Sequence, residues 1–213
     1  MGIELNDWHE KIMPELSIVS VYNRREFSLT LYKRELVRQQ SRGMRKGVHR
    51  DQLVLFFKDI FQRHNLDEIT FLCIGTDRST GDALGPMTGT LLEEQGLPHV
   101  IGTLAAPCDA DTLEKRLAHI PAQHTIIAID ACLGPKDAAG TYYVSGAPLR
   151  PAESVGGKLP PVGQYSLAAV VNANGPRPYS ILQMTSLYLV MNMAQTIADS
   201  ISEARSARQT FHL

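Results

Sequence analysis

Hydrophobic and polar positions follow two periods after residue 50. Residues 51–61 carry apolar side chains at Leu53, Leu55, Phe56, Phe57, Ile60 and Phe61, a helical spacing with Asp51 at its start. Residues 69–74 (ITFLCI) form a short unbroken apolar run, the pattern of a strand buried on both faces. A polar, glycine-rich stretch at 75–86 leads into a helical segment over 84–95, closed by Gly96 and Pro98. Residues 100–104 predict a second strand, and 111–118 a short helix with Leu113 and Leu117 four apart. The clearest buried strand is 125–129 (TIIAI), ended by Asp130. Segments 141–144 and 165–171 predict two more strands, with a Gly/Pro-rich loop at 146–163 between them. Residues 180–204 predict one long helix, apolar at Leu182, Leu187, Val190, Ala194, Ile197 and Ile201. No internal repeat or low-complexity tract interrupts the series.

Strands alternating with helices imply an α/β domain with a mostly parallel sheet and helices on both faces. Ligands of such sheets bind beyond the carboxyl ends of the strands, near the point where strand order reverses. The loops after Ile74, Leu104 and Ile129 are therefore the places to look. The first 50 residues read as an extension, with possible short strands at 16–22 and 27–32 and glycine punctuation at 43–47. The expected organisation is a basic extension at 1–50, the α/β domain at 51–204 and a loose tail at 205–213.

Composition narrows the class. The chain has 213 residues, 44% of them hydrophobic and 20% charged, with a formal net charge of -1, which suits one well-filled core and excludes global disorder. The exception is 24–50, where nine Lys/Arg face two acids. That stretch suits a solvated face and loop, or an acidic partner. No nucleic-acid-binding signature accompanies it, so nucleic acid is not an expected partner. No apolar run approaches the roughly 18–20 residues of a membrane span, and the start of the chain lacks a secretory pattern. Cys73, Cys108 and Cys132 form no CxxC, so a disulfide scaffold or structural zinc site is a poor fit and a reducing cytoplasm the better one.

Candidate chemistry gathers in two loops. The first, Gly75-Thr76-Asp77-Arg78-Ser79-Thr80-Gly81-Asp82, holds two carboxylates and three hydroxyls just before a helix. The second carries Asp130 and Cys132. Two carboxylates brought close share a proton, so that one serves as base and the other as acid. The alternatives are plain ones. Asp82 suits an N-cap for the following helix, and Asp130 an acceptor of backbone N–H groups in a turn. Asp77 suits a brace within its loop, and Arg78 an ion pair with Asp77 or Asp82. Cys132 points the same way as Asp130 if the strand continues. It is then a small core residue or, beside a histidine, a nucleophile. Lys158, in the long loop, suits either an oxyanion contact or plain exposure. Neither G-x-x-x-x-G-K-[ST] nor G-x-G-x-x-G is present, and the two acids would repel phosphate, which argues against a nucleotide site. The seven histidines show no H-x-x-x-H or H-E-x-x-H spacing.

The string CIGTDRSTGDALGP (73–86) resembles the YyaC-like spore protease family of spore-forming bacteria, as do AIDACLG (128–134), KLPPVG (158–163) and the helix around Leu182-Gln183. The likeness covers roughly 69–200 and leaves the basic extension aside. That family is distantly similar to the germination protease that degrades small acid-soluble spore proteins, and to the endopeptidases that mature nickel–iron hydrogenases. The resemblance implies a three-layer α/β/α sandwich with a mostly parallel central sheet. It also implies a catalytic acid pair at Asp82 and Asp130, supported by Thr76, Asp77, Arg78, Ser79, Cys132 and Lys158. In the hydrogenase peptidases the equivalent acids and a histidine contact the nickel of the substrate. Here 164–172 holds no histidine, and Asp109 stands where the resemblance leads one to expect another. No cofactor is therefore expected; a divalent metal, if bound, would fall to Asp82 and Asp130.

These observations predict a cytoplasmic, sporulation-linked peptidase of the forespore or mother cell. Its substrate would be a protein or peptide, small acid-soluble spore proteins among the candidates, and a homo-oligomer is compatible. The alternatives are a non-catalytic binding or regulatory protein with the same fold, and a metal-dependent maturation-type endopeptidase.

Overall fold

The computed structural model describes residues 47–151 and 159–209. The strands expected at 16–22 and 27–32, nearly all of the basic stretch and Lys158 lie outside the described residues. The first helix, α1 (Arg50–Arg63), buries Leu53, Val54, Phe56, Phe57, Ile60 and Phe61, the stripe that the spacing predicts. Asp51 lies in its first turn; the N-cap is His49, whose backbone N–H donates to Gln52 Oε1 at 3.0 Å.

Strand β1 (Ile69–Cys73) follows and is buried at every position. Its side chains leave on alternate faces. Phe71 meets Phe61 of α1 edge-to-face, with ring centroids 6.4 Å apart. Leu72 joins a cluster on the opposite face with Ile74, Cys108, Leu113 and Ala128. A continuous apolar run is what this two-sided burial requires.

The remaining elements are α2 (Leu84–Glu94), β2 (Val100–Ile101), α3 (Leu113–Leu117), β3 (Thr125–Gly134), β4 (Tyr142–Ser145), β5 (Tyr165–Ala173), α4 (Pro178–Gln183) and α5 (Leu187–Gln209). The five strands lie in the order β2-β1-β3-β5-β4. All neighbours are parallel except β4 against β5. Helices α1, α2 and α5 pack together on one face. Among the described residues the other face carries α3 and the loop residues Leu149, Leu159 and Val162. The fold class is thus the expected α/β sandwich, with one thick helical layer and one thin layer. The chain leaves β1 towards β2 and leaves β3 in the opposite direction, towards β5. The crevice between the carboxyl ends of β1 and β3 is the topological switch point.

Three expectations are corrected. Asp130 does not end β3: the strand runs on to Gly134, because β5 supplies partners from Ala168 to Ala173 after β1 has stopped. A bulge between Cys132 and Leu133 shifts the register there. The single helix over 180–204 is two helices. Buried Thr185 breaks it, donating to Ile181 O at 2.9 Å and accepting from Asn172 Nδ2 at 3.2 Å. Ser186 Oγ then accepts the N–H of Leu189 at 3.4 Å in the first turn of α5. The chain past Ala204 is not loose as far as Gln209. It continues α5, and Arg205 donates to Gln95 O at 3.3 Å and Arg208 to His64 O at 2.8 Å.

Helix α2 approaches the backbone beside the strand ends directly at two glycines, Gly85 and Gly89. A Cβ on Gly85 would strike the carbonyl of Ile74, and one on Gly89 the carbonyl of Gly102. Both obstacles are backbone atoms, which cannot rotate away. Alanine at Gly85 gains about 1 kcal/mol of helix propensity, but the overpacking outweighs it. We expect Gly85→Ala to lose about 2 kcal/mol net in urea unfolding. A variant as stable as the parent would contradict this close approach.

Candidate active site

The loop between β1 and α2 folds back onto the strand it leaves. Gly75 has φ 144°, and a Cβ there would strike the carbonyl of Asp82. Thr76 N–H donates to that same carbonyl at 3.2 Å, and Ala83 N–H to Ser79 O at 2.9 Å. Gly81 N–H donates to Leu182 O of α4 at 2.9 Å, and Leu182 fills the space a Gly81 side chain would need. These contacts hold Asp82 over the end of β1.

Asp130 stands on the neighbouring strand. Cys73 pairs with Ile129, and Ile74 N–H donates to Ile129 O at 2.7 Å, so Asp130 is the next residue outward. Its Oδ1 accepts the N–H of Ala131 at 2.8 Å. A third segment joins this edge: Cys108 bridges Ile74 in parallel and accepts the N–H of Gly75 at 2.9 Å. The loops after β1 and β2 therefore meet the middle of β3 at the switch point, where Asp130 lies within the strand rather than in a loop after it.

The side chains differ from expectation in instructive ways. Asp82 caps no helix: α2 has Ala83 as its N-cap residue, with no side-chain cap hydrogen bond. Its carboxyl is instead held above the ordinary value of 3.8, chiefly because burial penalises the charged form. The Ser79 hydroxyl lies beside it and pulls the other way, although Ser79 Oγ is buried and completes no hydrogen bond of normal geometry. Asp77 is exposed, and its carboxylate braces no described residue. Arg78 pairs with neither Asp77 nor Asp82. Its Nη2 reaches Asp109 Oδ2 at 3.0 Å and its Nε donates to Thr76 Oγ1 at 3.1 Å. With side-chain exposures of 72% and 22%, the Arg78–Asp109 pair contributes at most about 1 kcal/mol. Its consequence is positional: it ties the β1–α2 loop to the segment before α3. Asp109 and Thr112 also exchange hydrogen bonds, Thr112 N–H to Asp109 Oδ1 at 3.2 Å and Asp109 N–H to Thr112 Oγ1 at 3.0 Å.

Asp109 and Asn172 are the residues that sequence reasoning missed as structural parts of this edge. Asn172 pairs with Leu133, one position before the β3–β5 alignment ends, and its amide donates to Thr185 Oγ1 at 3.2 Å. Cys132 lies on β3 past Asp130 and is half-buried. Cys108 is buried and its thiol is pushed up to about 11. Burial is the main cause; Arg116 opposes it, and the nearby Asp109 and Asp130 add to it. Burial also raises the Cys73 thiol. Neither suits a nucleophile. Histidines His64, His99 and His124 cluster at the opposite, amino edge of the sheet, where His124 Nδ1 lies 2.9 Å from Thr70 Oγ1. Among the described residues no group of three His, Cys, Asp or Glu is placed to hold a metal ion. No described helix is long and apolar enough to cross a membrane.

Residues 46–200 match the family described as "Protein of unknown function (DUF1256)". The chain belongs to that family. It is 42% identical over 139 residues to "Uncharacterized protein YyaC" of Bacillus subtilis (strain 168), covering 63% of this chain and 68% of that one. Two solved structures from Thermococcus kodakarensis share less. The [NiFe] hydrogenase maturation protease HycI matches at 17% identity and TM-score 0.44, over 69% of this chain and 99% of its own. The [NiFe] hydrogenase maturation protease HybD matches at 13% identity and TM-score 0.41, over 64% of this chain and 99% of its own. At those scores the two likenesses carry nothing over to this site.

The raised Asp82 pKa fixes the sign of a pH effect. Folding costs most when Asp82 must be ionised, so its contribution is most favourable below 3.8 and is lost as pH rises through the elevated folded value. Asp82→Asn removes that cost. We expect the variant to melt at or above the parent at pH 7, with the gap closing towards pH 3 on a calorimetric series. A variant less stable than the parent at pH 7 would instead mark Asp82 as a structural anchor.

Proposed function

We propose that this member of the DUF1256 family is a peptidase that uses Asp82 and Asp130 as an acid–base pair on a scissile peptide bond. The observation that carries the proposal is the position and environment of Asp82. It is a half-buried carboxyl with a raised pKa, fixed over β1 at the switch point, one strand from Asp130. A carboxyl that resists ionisation is suited to donate a proton. Asp130, oriented by the N–H of Ala131, is suited to take one.

In the proposed reaction Asp130 accepts a proton from water as its oxygen bonds to the peptide carbonyl carbon. Asp82 hydrogen-bonds the carbonyl oxygen as charge develops there. When the C–N bond breaks, the proton held by Asp130 passes to the departing amine. Thr76 and Arg78 hold the loop in place, the Ser79 hydroxyl faces Asp82, and Lys158 is proposed to assist the oxyanion. Asp77 and Cys132 line the approach without a chemical step.

The resemblance of 73–86 to the spore protease family extends the proposal to sporulating cells, with small acid-soluble spore proteins as candidate substrates. A reducing cytoplasm suits three cysteines of which none forms a disulfide. A second proposal, that the same fold only holds a protein partner, draws on the exposed apolar side chains of α4 and α5.

The two separate in one assay. Purified protein is incubated with a small acid-soluble spore protein and the products are read by intact mass. Asp82→Asn and Asp130→Asn should each cut cleavage by a factor of about 10² or more while the circular dichroism spectrum is kept. Fragments produced equally by parent and variants would rule out this pair. Stable binding with no fragments would favour the partner-holding protein.

A further inference from the structure

Beyond the acid pair, the described chain has one conspicuous unexplained surface. Most of its exposed large hydrophobic side chains gather on α4, the turn after it and the start of α5. Met184 is 84% exposed, Tyr188 77% and Tyr179 64%, with Leu187 and Met191 beside them. Leu187, Tyr188 and Met191 share one helical face, so this is a stripe rather than a scatter. A cluster of exposed apolar side chains within thirteen residues of chain, three of them on one helical face, suits an interaction site.

An open groove of ≈ 710 Å³ borders the stripe at the carboxyl end of β5. Asn172, Arg177, Ile181 and Met184 are among its lining residues. Between Lys158 and Asp199 the sequence holds a single charged residue, Arg177. Arg177 is exposed, and among the described residues it makes no ion pair. The groove thus combines apolar walls, side-chain amides and one positive charge, with no acid among its described lining residues. That chemistry fits a polypeptide segment with apolar side chains and a carboxylate. Amides at the wall can meet peptide N–H and C=O groups, and a guanidinium can grip a carboxylate through two parallel hydrogen bonds.

The groove is also joined to the acid pair. Leu182 of α4 is buried against Gly81, and its carbonyl accepts the Gly81 N–H next to Asp82. A chain lying along α4 would run towards the carboxyl ends of β1 and β3.

We infer that the face formed by Arg177, Tyr179, Met184 and Tyr188 is a docking surface for an apolar, carboxylate-bearing segment of a polypeptide substrate. This rests on the peptidase proposal for its substrate but not for its binding. Arg177 supplies charge recognition, and the aromatic and methionine side chains supply apolar area. These residue types carry much of the binding in protein interfaces.

The test uses the full chain with Asp130→Asn, so that no peptide is turned over. A fluorescein-labelled peptide of alternating leucine with one central glutamate is titrated by anisotropy. Two companions replace the glutamate by glutamine, or the leucines by serine. The glutamate peptide should bind at least about tenfold more tightly than the glutamine peptide, and the serine peptide should not bind. Adding Arg177→Gln should make the glutamate and glutamine peptides equal. Adding Met184→Ser with Tyr188→Ser should weaken both. All three side chains are exposed, so these changes leave the core untouched. Equal binding of the three peptides, no binding, or an unchanged glutamate preference in Arg177→Gln would overturn the inference. So would a dimer, seen by sedimentation, that Met184→Ser with Tyr188→Ser dissolves, since the face would then belong to a second copy. Binding here without cleavage by the parent chain would keep the docking surface and remove the peptidase. Cleavage of a spore protein undiminished by the same substitutions would do the reverse.

Discussion

The architecture depends on backbone meeting backbone where α2 crosses the end of β1. Gly85 lies on the carbonyl of Ile74, Gly89 on that of Gly102, and Gly75 on that of Asp82. Side chains normally keep a helix several ångströms further from a sheet. Here that spacing is absent. The loop from β1 to α2 is short in space and must double back, which brings Asp82 over the strand end. The segment carrying Cys108 is drawn to the same edge through Gly75 N–H and the bridge to Ile74. A wider helix–sheet separation would leave the same residues in the chain but no common edge for them.

Once that edge exists, its electrostatics follow from unequal burial. Asp82 is sunk far enough to resist ionisation. Arg78, which might have neutralised it, is turned outward to Asp109 and Thr76. A strong ion pair between Arg78 and Asp82 would have lowered the Asp82 pKa and opposed the effect of its burial. The exposed Arg78–Asp109 pair adds little stability, but it keeps the nearest cation of the loop engaged elsewhere. The same distribution separates the acids of the carboxyl edge from the histidines of the amino edge by the length of the strands.

The two faces of the sheet are also unequal. Helices α1, α2 and α5 cover one face with large aromatic and aliphatic side chains, whereas the described cover of the other is α3 and a few loop residues. On the thick side α5 is longer than its packing requires at its amino end. There Leu187, Tyr188 and Met191 point to solvent, although their residue types belong to interiors. Thr185 causes this geometry. By breaking the helix and bonding Asn172 and Ile181, it sets α4 apart from α5 beside the end of β5.

The sequence by itself determined the order of strands and helices over the described residues and the segments that hold the candidate site. Apolar period and glycine punctuation are short-range properties, and ITFLCI or TIIAI buries on both faces wherever it is placed. The family resemblance was likewise legible, because it rests on contiguous strings. Tertiary structure decided what depends on residues distant in the chain. Arg78 finds Asp109, 31 positions away, because β2 returns beside β1. β3 continues through Asp130 because β5 pairs with it there. Asp82 has its pKa raised by burial rather than capping a helix because the loop folds inward over Gly75. Residues 180–204 read as one amphipathic helix because periodicity cannot register a hydrogen bond from Asn172 to Thr185. Local patterns are set by the chain's own stereochemistry, whereas ionisation, ion pairing and exposure are set by what the fold brings alongside.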